Sequence, residues 1–483
     1  MKIGKFHFGY SAIEDKGRRK APVRARKREI DILTDTKRRK LMATAEEQQR
    51  NLSLVAWMVR KHLDYVSRFH FSFKSEYEDL NAAVNRMFNW HARPNNFDVL
   101  GKFGREEMFR FFEMEKVIAG DAALLKLKDG KLQAIESDLI ARGTGSPSEE
   151  KISEEGFVFD EIGKPVKAAI CERGDRTAIN FKKLVSFNDL IFDAYWSRFG
   201  SQFRGVSPLS TAINTMQDLC DSTEFNLLKQ KAQALFGLAI EREAENGVFG
   251  DAGGVEAEDS EDQSASLDLR PDKVLMMDLN PGEKVTMLES RTPSAEFING
   301  SYLFIQLAML ALDIPITSFD SRRSSFSARI ADLNEYEVSA AYKRDKNRYV
   351  RQAYSDWLIE RDYLNPVWNI GAIASKHGLN KRDVQSLCEW VASGSPWLDK
   401  YKQIQGDELA ISLFIDNPIE AARRKGQDVF NNIDQIAKVI EYANKKGVPY
   451  NFGSTQKRTI DEMVKNVVDE VHTEKQDEDE SEA

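Results

Sequence analysis

The chain is poor in the residues that build small metal or disulfide frameworks. Its 483 residues include three cysteines, Cys171, Cys220 and Cys388, far apart and never in a C-x-x-C pair, and six scattered histidines. This argues against a zinc ribbon or a disulfide scaffold, suits a reducing compartment, and leaves little imidazole for acid–base work near neutrality. No apolar h-region opens the sequence. Its longest largely apolar run, residues 302–312, falls well short of the ~20 residues that span a bilayer, so neither export nor membrane insertion is expected. No G-x-x-x-x-G-K-[ST] phosphate cradle, H-E-x-x-H zinc pair, G-x-S-x-G elbow or EF-hand loop occurs. A nucleotide-driven motor is therefore not expected, and neither a metal nor a cofactor is assigned. A metal-dependent nucleic-acid enzyme with Asp and Glu ligands drawn from distant segments escapes such a search and stays open as an alternative.

What is present is globular: 41% hydrophobic, 30% charged, and long enough for about three modules that each bury a core. The net charge of −8 averages over opposite extremes. Residues 16–40 hold twelve basic and three acidic side chains, a basic arm suited either to phosphate or an acidic protein surface, or to remaining a solvated tail. A monomeric adaptor that binds nucleic acid through this arm is a second alternative. Residues 241–268 carry ten acids and one Arg, and residues 461–483 ten acids and two Lys. The first lies between ordered-looking segments and predicts a loop at the tip of a module, either engaging a basic partner or simply solvated.

The hydrophobic periodicity predicts a helix over residues 41–60. A strand follows at 68–74, with Phe69, Phe71 and Phe73 on one face and His70 on the other, and further helices over 76–90 and 105–118. Two pairs of short strands follow, turning at Asp129-Gly130 and at Ile162-Gly-Lys-Pro165, which makes an α+β module. Ser207-Pro208 opens a long helix as N-cap and first helical residue. Along it Leu209, Ile213, Met216, Cys220, Thr223 and Leu227 recur at intervals of four and three, a narrow seam that needs a partner helix. The candidate is 293–312, reached through strand-like 271–279 and 283–290. After a polar loop with Arg322 and Arg323, residues 328–362 contain neither Pro nor Gly and predict a helix of about 50 Å, with Ile330, Leu333, Val350, Ala353 and Trp357 as packing contacts. The remainder, including 381–394 and 418–447, reads as helical, with Gly447 as a C-cap.

The segments EGFVFDEIGKPVKAAICE and RFGSQFRGVSPLSTAI resemble the lambda-like family of tailed-bacteriophage portal proteins. Gly156, Asp160, Gly163, Pro165 and Val166 match that family's strand-turn-strand, and Arg198, Gly200, Arg204, Gly205 and Val206 match its turn into the first stem helix. Asp313-Ile-Pro315 and Ser327-Ala328-Arg329 resemble the family's approach to its long helix, with Asp313 standing for Gly, Ile314 for Val and Phe326 for Ser. The departures are Ser-Pro-Leu at 207–209 for the family's Pro-Trp-Leu, an Arg-rich loop, and poor matches in the basic arm and acidic insertion. Coverage is expected from about residue 51 to 461.

The resemblance implies a mainly helical α+β portal fold without catalysis. Its parts are a basic arm at 1–45, a wing at 46–207, stem helices at 208–237 and 293–312, a β-containing clip at 238–292, a tunnel loop at 313–327, a long wing helix at 328–363, a helical crown at 364–460 and an acidic tail at 461–483. It implies a ring of about twelve copies at one capsid vertex, assembled in the host cytoplasm and retained in the virion. Double-stranded DNA would pass through it during packaging and ejection, independent of sequence. Partners would be the terminase large subunit, capsid and scaffold proteins and a head–tail adaptor, with no membrane. Arg322, Arg323, Ser324 and Ser325 are the candidates for the DNA-facing loop. The two arginines either form cationic belts or pair with a neighbour's acids. Lys229 and Lys231 are secondary channel candidates. Leu209, Ile213, Met216, Cys220 and Leu227 are expected to pack the stem, with Cys220 as a small apolar residue.

Overall fold

The segment read as a basic arm is partly folded. In the computed structural model, which describes residues 29–175, 178–200, 202–235, 238–242, 283–287, 294–394 and 400–448, a helix α1 spans Asp35–Asn51. After an extended break at Leu52 it gives way to α2, Ser53–Val66, so the single helix expected over 41–60 is two. Arg38, Ala45 and Gln48 are buried on one face of α1. Arg38 donates to Ser137 Oγ at 3.2 Å and pairs with Asp35 at 3.4 Å. Charge density alone does not keep a segment in solvent when one helical face repeats with the right period and meets carboxylate and hydroxyl partners.

Strand β1, Phe69–Phe73, buries Phe69 and Phe73, while Phe71 stacks on Phe88 with ring centroids 3.8 Å apart. His70 lies on the exposed face as expected, in hydrogen-bond contact with Ser393 Oγ at 3.2 Å. Helices α3, Glu78–His91, and α4, Arg105–Ala119, follow at the expected places. The strands expected from the turn signals are β2, Asp121–Lys126; β3, Leu132–Ile135; β4, Phe157–Phe159; and β5, Pro165–Arg173. Two more, β6 at Ile179–Ser186 and β7 at Leu190–Ala194, complete two antiparallel three-stranded sheets ordered β3-β2-β7 and β4-β5-β6. Between them lies a small core of Ala123, Leu125, Ile140, Phe157, Ile170 and Leu190.

Helix α5, Ile213–Leu235, runs out of this module toward a two-stranded antiparallel ribbon of β8, Leu238–Arg242, and β9, Glu283–Met287. Strand β8 takes up the start of the stretch assigned to an acidic loop. The rest of that stretch, and the strand expected at 271–279, lie outside the described residues. Helix α6, Ala295–Met309, returns along α5. The long helix is α7, Phe326–Asp362, 37 residues or about 55 Å.

Residues 364–393 do not start a separate module. Helices α8, Ile370–Lys376, and α9, Lys381–Ser386, lead into strand β10, Cys388–Ala392, which pairs antiparallel with β1 from Phe69↔Ala392 to Phe73↔Cys388. The helix expected across 381–394 is thus half strand, because Cys388, Trp390 and Val391 are buried against a sheet partner more than 300 residues earlier. Trp368, Ile370 and Trp390 share one core with Leu80, Phe88, Phe109, Tyr354 and Leu358. Inside it the Arg351 guanidinium lies between the rings of Phe69 and Phe109, 4.2 and 4.7 Å from their centroids, and donates to Ser67 O at 2.7 Å. Burial lowers the Arg351 pKa to about 10.

The first of two units therefore ends at Ser393, and the second begins at Gly394. The second contains α10, Lys400–Ser412; α11, Pro418–Arg424; and α12, Val429–Lys446, which Gly447 caps at φ 68° as expected.

Candidate functional site

The turn into α5 is built on one buried arginine. Arg204 makes a bidentate pair with Asp121, Nε and Nη2 each 2.8 Å from a carboxylate oxygen, and also donates to the carbonyls of Ser137, Ile140 and Glu155. Asp121 accepts in addition from Gly205 N at 2.9 Å. Burial alone would raise the Asp121 carboxyl, but Arg204 holds it below the usual carboxylate range. Gly120 ends α4 at φ 98°, and a Cβ on Gly205 would fall 1.9 Å from the Gly120 carbonyl oxygen, so the two backbones meet only because both residues are glycine. Ser207 then accepts from Leu209 N and donates to Val117 O at 2.7 Å. The expected Ser-Pro start is present, except that Pro208–Thr211 forms a 3₁₀ turn before α5 begins at Ile213.

The α5–α6 pair is buried at its base and exposed along its length. Leu209 and Met216 share a core with Val59, Leu63, Ala308, Met309 and Leu312, so the start of α5 lies beside the end of α6. Ile213 and Cys220 are half-buried. Leu227 stays half in solvent: it is 49% exposed, with Phe225 and Leu228 beside it, Leu303 and Leu307 exposed on α6 and Leu310 exposed just after it. Two helices bury one shared stripe, and apolar residues off that stripe need a surface from elsewhere. The apolar stretch is also longer than 302–312. Residues Ala295–Leu312 reach the length and composition of a membrane span, and 17% of that window is buried. Lys229 and Lys231 are exposed on α5.

Where α6 turns toward α7, Asp313 adopts the left-handed conformation at φ 59°, at the position where the resemblance has glycine. Its carboxylate accepts from Ser339 Oγ at 2.7 Å and Lys343 Nζ at 2.8 Å, both on α7. Burial alone would raise it, but these two hydrogen bonds hold it below the usual range.

The following loop is folded rather than open. It forms 3₁₀ turns at Ile316–Ser318 and Ser321–Arg323, and the Phe319 ring meets Trp57 edge-on at 6.0 Å. Arg322 contacts Asp320 Oδ1 through Nε at 3.2 Å, while its side chain is 91% exposed. The Arg323 side chain lies outside the described residues. The two serines are engaged by the fold itself: Ser324 donates to Ser321 O at 3.3 Å, and Ser325 is the N-cap of α7, accepting from Ala328 N at 3.2 Å.

Behind this surface lies a buried charge cluster that sequence reasoning missed. Glu113 Oε2 is 2.7 Å from Lys116 Nζ and accepts from Asn347 Nδ2 at 3.0 Å, and Glu113 Oε1 accepts from Tyr195 OH at 2.8 Å and lies 2.9 Å from His62 Nε2. Lys116 also pairs with Asp193 at 2.6 Å. Burial alone would raise Glu113, but Lys116 and His62 hold it far below the usual range, while burial lowers His62. The cluster ties α2, α4, the end of β7 and α7 together. The available signal was that Glu113 and Lys116 fall on the same helical stripe as Met108, Phe109 and Phe112. Among the described residues no group of three His, Cys, Asp or Glu side chains is placed to hold a metal ion.

Known proteins resemble the chain at two levels. By structure it is similar to the neck of an empty gene transfer agent particle computed with C6 symmetry, at TM-score 0.41 and 14% identity over 86% of this chain and 94% of that one. The virion of a native gene transfer agent particle gives TM-score 0.40 and 14% identity over 82% and 99%. The neck of the native particle computed with C12 symmetry gives TM-score 0.41 and 14% identity over 81% and 93%. No curated protein matches in sequence. By family, residues 16–338 match the phage portal proteins of the lambda family, a match that starts within the basic arm and stops within α7, short of the expected 461. Spanning both the Arg204 turn and the α5–α6 hairpin, that match establishes that the chain belongs to the lambda family of phage portal proteins.

Proposed function

We propose that the chain assembles into a closed ring of about twelve copies at the unique capsid vertex, through which double-stranded DNA is packaged and later ejected. The observation that carries this reading is the exposed apolar flank of the α5–α6 hairpin, with Leu227, Leu303 and Leu307 about half exposed on a helix pair rooted in a buried core. Identical copies side by side cover such a flank, and a heterologous contact repeated by rotation closes a ring. On this reading residues 46–207 form most of the wing and the hairpin forms the stem. Residues 238–292 form the clip that the terminase motor and head–tail adaptor dock on, and 313–327 the tunnel loop. The long helix at 328–363 braces the wing, and the segment after it contributes to the crown. The chain does no chemistry; ATP hydrolysis belongs to the docked motor.

A conduit for DNA of any sequence needs weak, repeated phosphate contacts, because tight ones resist sliding. Arg322 suits this, with its backbone fixed by Asp320 and its side chain exposed. Arg323 follows it in the same turn, and Lys229 and Lys231 supply further exposed or adjacent charge along α5. Particles carrying Arg322→Ala/Arg323→Ala test the role. The expected outcome is a slower packaging rate or earlier loss of packaged DNA, with ring assembly unchanged. Normal rate and retention would remove the loop arginines from the account.

A further inference from the structure

Around the C-terminal end of α7 the fold leaves five large apolar side chains in solvent, Trp90, Val99, Leu100, Leu364 and Val367, with the two leucines 81% and 86% exposed. Named contacts hold their segments together as one surface. The Trp90 ring meets Trp368 edge-on at 5.7 Å, which sets the end of α3 beside the turn that carries Leu364 and Val367. Asn96 Nδ2 donates to Trp90 O at 2.9 Å, and Val99 N donates to Leu132 O at 3.1 Å, which extends the surface to the 128–131 turn. Arg361 joins both sides: its guanidinium lies 3.2 Å from His91 Nε2 and packs against Gly130, where a Cβ would collide with it. Apolar residues exposed singly need no explanation, but a group joined in this way marks an interaction surface.

Its rim is cationic. Arg86 and Arg93 flank Trp90, Lys102 follows Leu100 and Lys128 stands at the turn, all four exposed. Of the acids in residues 86–102, 128–131 and 361–369, Asp98 and Asp362 are buried and Asp129 is exposed. An apolar centre with charge at its edge is the layout of a protein interface, whereas a phosphate backbone calls for cations across the middle. Strand addition has no open edge at Leu132, whose carbonyl already accepts from Val99 N. A helix lays apolar residues along one stripe and turns its flanking charges to either side. The same surface on a second copy, turned to face this one, would set cations against cations. The surface also lies one α7 length, about 55 Å, from the loop that precedes that helix.

We infer that this surface docks an acidic amphipathic helix of a partner protein, whose apolar side chains cover Trp90, Leu100 and Leu364 while its carboxylates meet Arg86, Arg93, Lys102 and Lys128. The inference goes beyond the ring reading and does not depend on the number of copies.

Fluorescence anisotropy on the full chain tests it. The probe is a labelled designed helix with leucine at positions i, i+3, i+4 and i+7 and glutamate on its other faces. Saturable binding is expected, weakened at least about 10-fold by Leu100→Ser/Leu364→Ser. Lysine in place of the probe's glutamates is expected to weaken it by about as much. Both leucines are already mostly in water, so the variant keeps native circular dichroism. No binding of the probe, or equal binding by the variant or by the lysine probe, would overturn the inference. Displacement of the probe by a short DNA duplex would do the same, by making the surface a phosphate site. Binding that disappears when monomers close into rings would give the surface to a neighbouring copy, and binding that tightens on removal of residues 449–483 would give it to the chain's own tail. Either result removes the partner.

Discussion

Lys343 ties the long helix to the end of the hairpin through Asp313: its Nζ stands 2.8 Å from the Asp313 carboxylate and 3.0 Å from the Leu312 carbonyl oxygen. Asp313 is therefore more than a tolerated replacement for glycine at a left-handed position. Aspartate adopts this conformation at lower cost than most residues, and here its side chain joins α7 as well. Asp313→Ala is expected to lose about 2–3 kcal/mol, combining the left-handed cost with an abandoned, largely buried Lys343. Asp313→Gly should lose about 1 kcal/mol less, since glycine removes the conformational cost but not the broken contact. Urea midpoints check the order Asp above Gly above Ala; glycine equal to aspartate would show that the contact to α7 contributes nothing.

Arg204 should tolerate no replacement. Arg204→Ala leaves Asp121 buried and unpaired, a loss of about 3–5 kcal/mol. Arg204→Lys should rescue little, because an ammonium cannot span both Asp121 oxygens and reach the carbonyls of Ser137, Ile140 and Glu155. Soluble yield and near-ultraviolet circular dichroism read this directly; a soluble Lys variant with native signal would contradict it.

Glu115 gives a pH dependence of opposite sign to an ordinary ion pair. Burial, with Glu136, Asp121 and Asp138 nearby, pushes its pKa up to about 7 from an ordinary 4.5, against a hydrogen bond from Ser137 N at 3.0 Å. A carboxyl raised on folding contributes stability that is complete below pH 4.5 and is lost as pH rises through about 7. Glu115→Gln is therefore expected to melt about 2–4 °C higher than the native chain at pH 8 and at the same temperature at pH 4.5. Equal melting at both values would place an ordinary carboxylate there.

Asp362 runs the other way. Burial alone would raise it, but hydrogen bonds from His91, Arg361 and Asn365 hold it at about 2. Its contribution is complete above the ordinary value of 3.8 and is lost as pH falls from there through about 2. Asp362→Asn should flatten the stability profile below pH 4. A profile as steep as that of the native chain would assign the acid sensitivity elsewhere.

How much of this was legible depended on how local the cause was. The Ser207 turn, the Phe69–Phe73 strand, the hairpin of helices and the long proline-free helix each follow from periodicity or a cap within a few residues. Strand β10 did not, because Cys388–Ala392 becomes a strand only by meeting β1, a pairing no local propensity encodes. Arg38 was hidden in a charge run for the same reason: its partners, Asp35 and Ser137, include one 99 residues away. Leu227 shows the reverse error, since a seam that looks like core along one helix is core only where the second helix lies against it. The local roles of the loop serines were not singled out because capping and phosphate contact both draw on Ser in polar turns.

The exposed flank of the hairpin is expected to hold the assembly together. Leu303→Glu/Leu307→Glu changes two side chains that are already about half in water, so the fold of the single chain should survive. Placed against a neighbouring copy, two buried carboxylates per contact oppose closure. Sedimentation velocity should show monomers with native circular dichroism; intact rings would move the contact to another face.

The ring itself is tested most directly by the mass and end-on symmetry of the purified protein, by native mass spectrometry and negative-stain images, since 55.0 kDa subunits make ring sizes easy to tell apart. A closed ring of about twelve subunits around a central hole is the predicted result. A chain that stays monomeric or dimeric at high concentration, with its α5–α6 flank in water, would contradict the account.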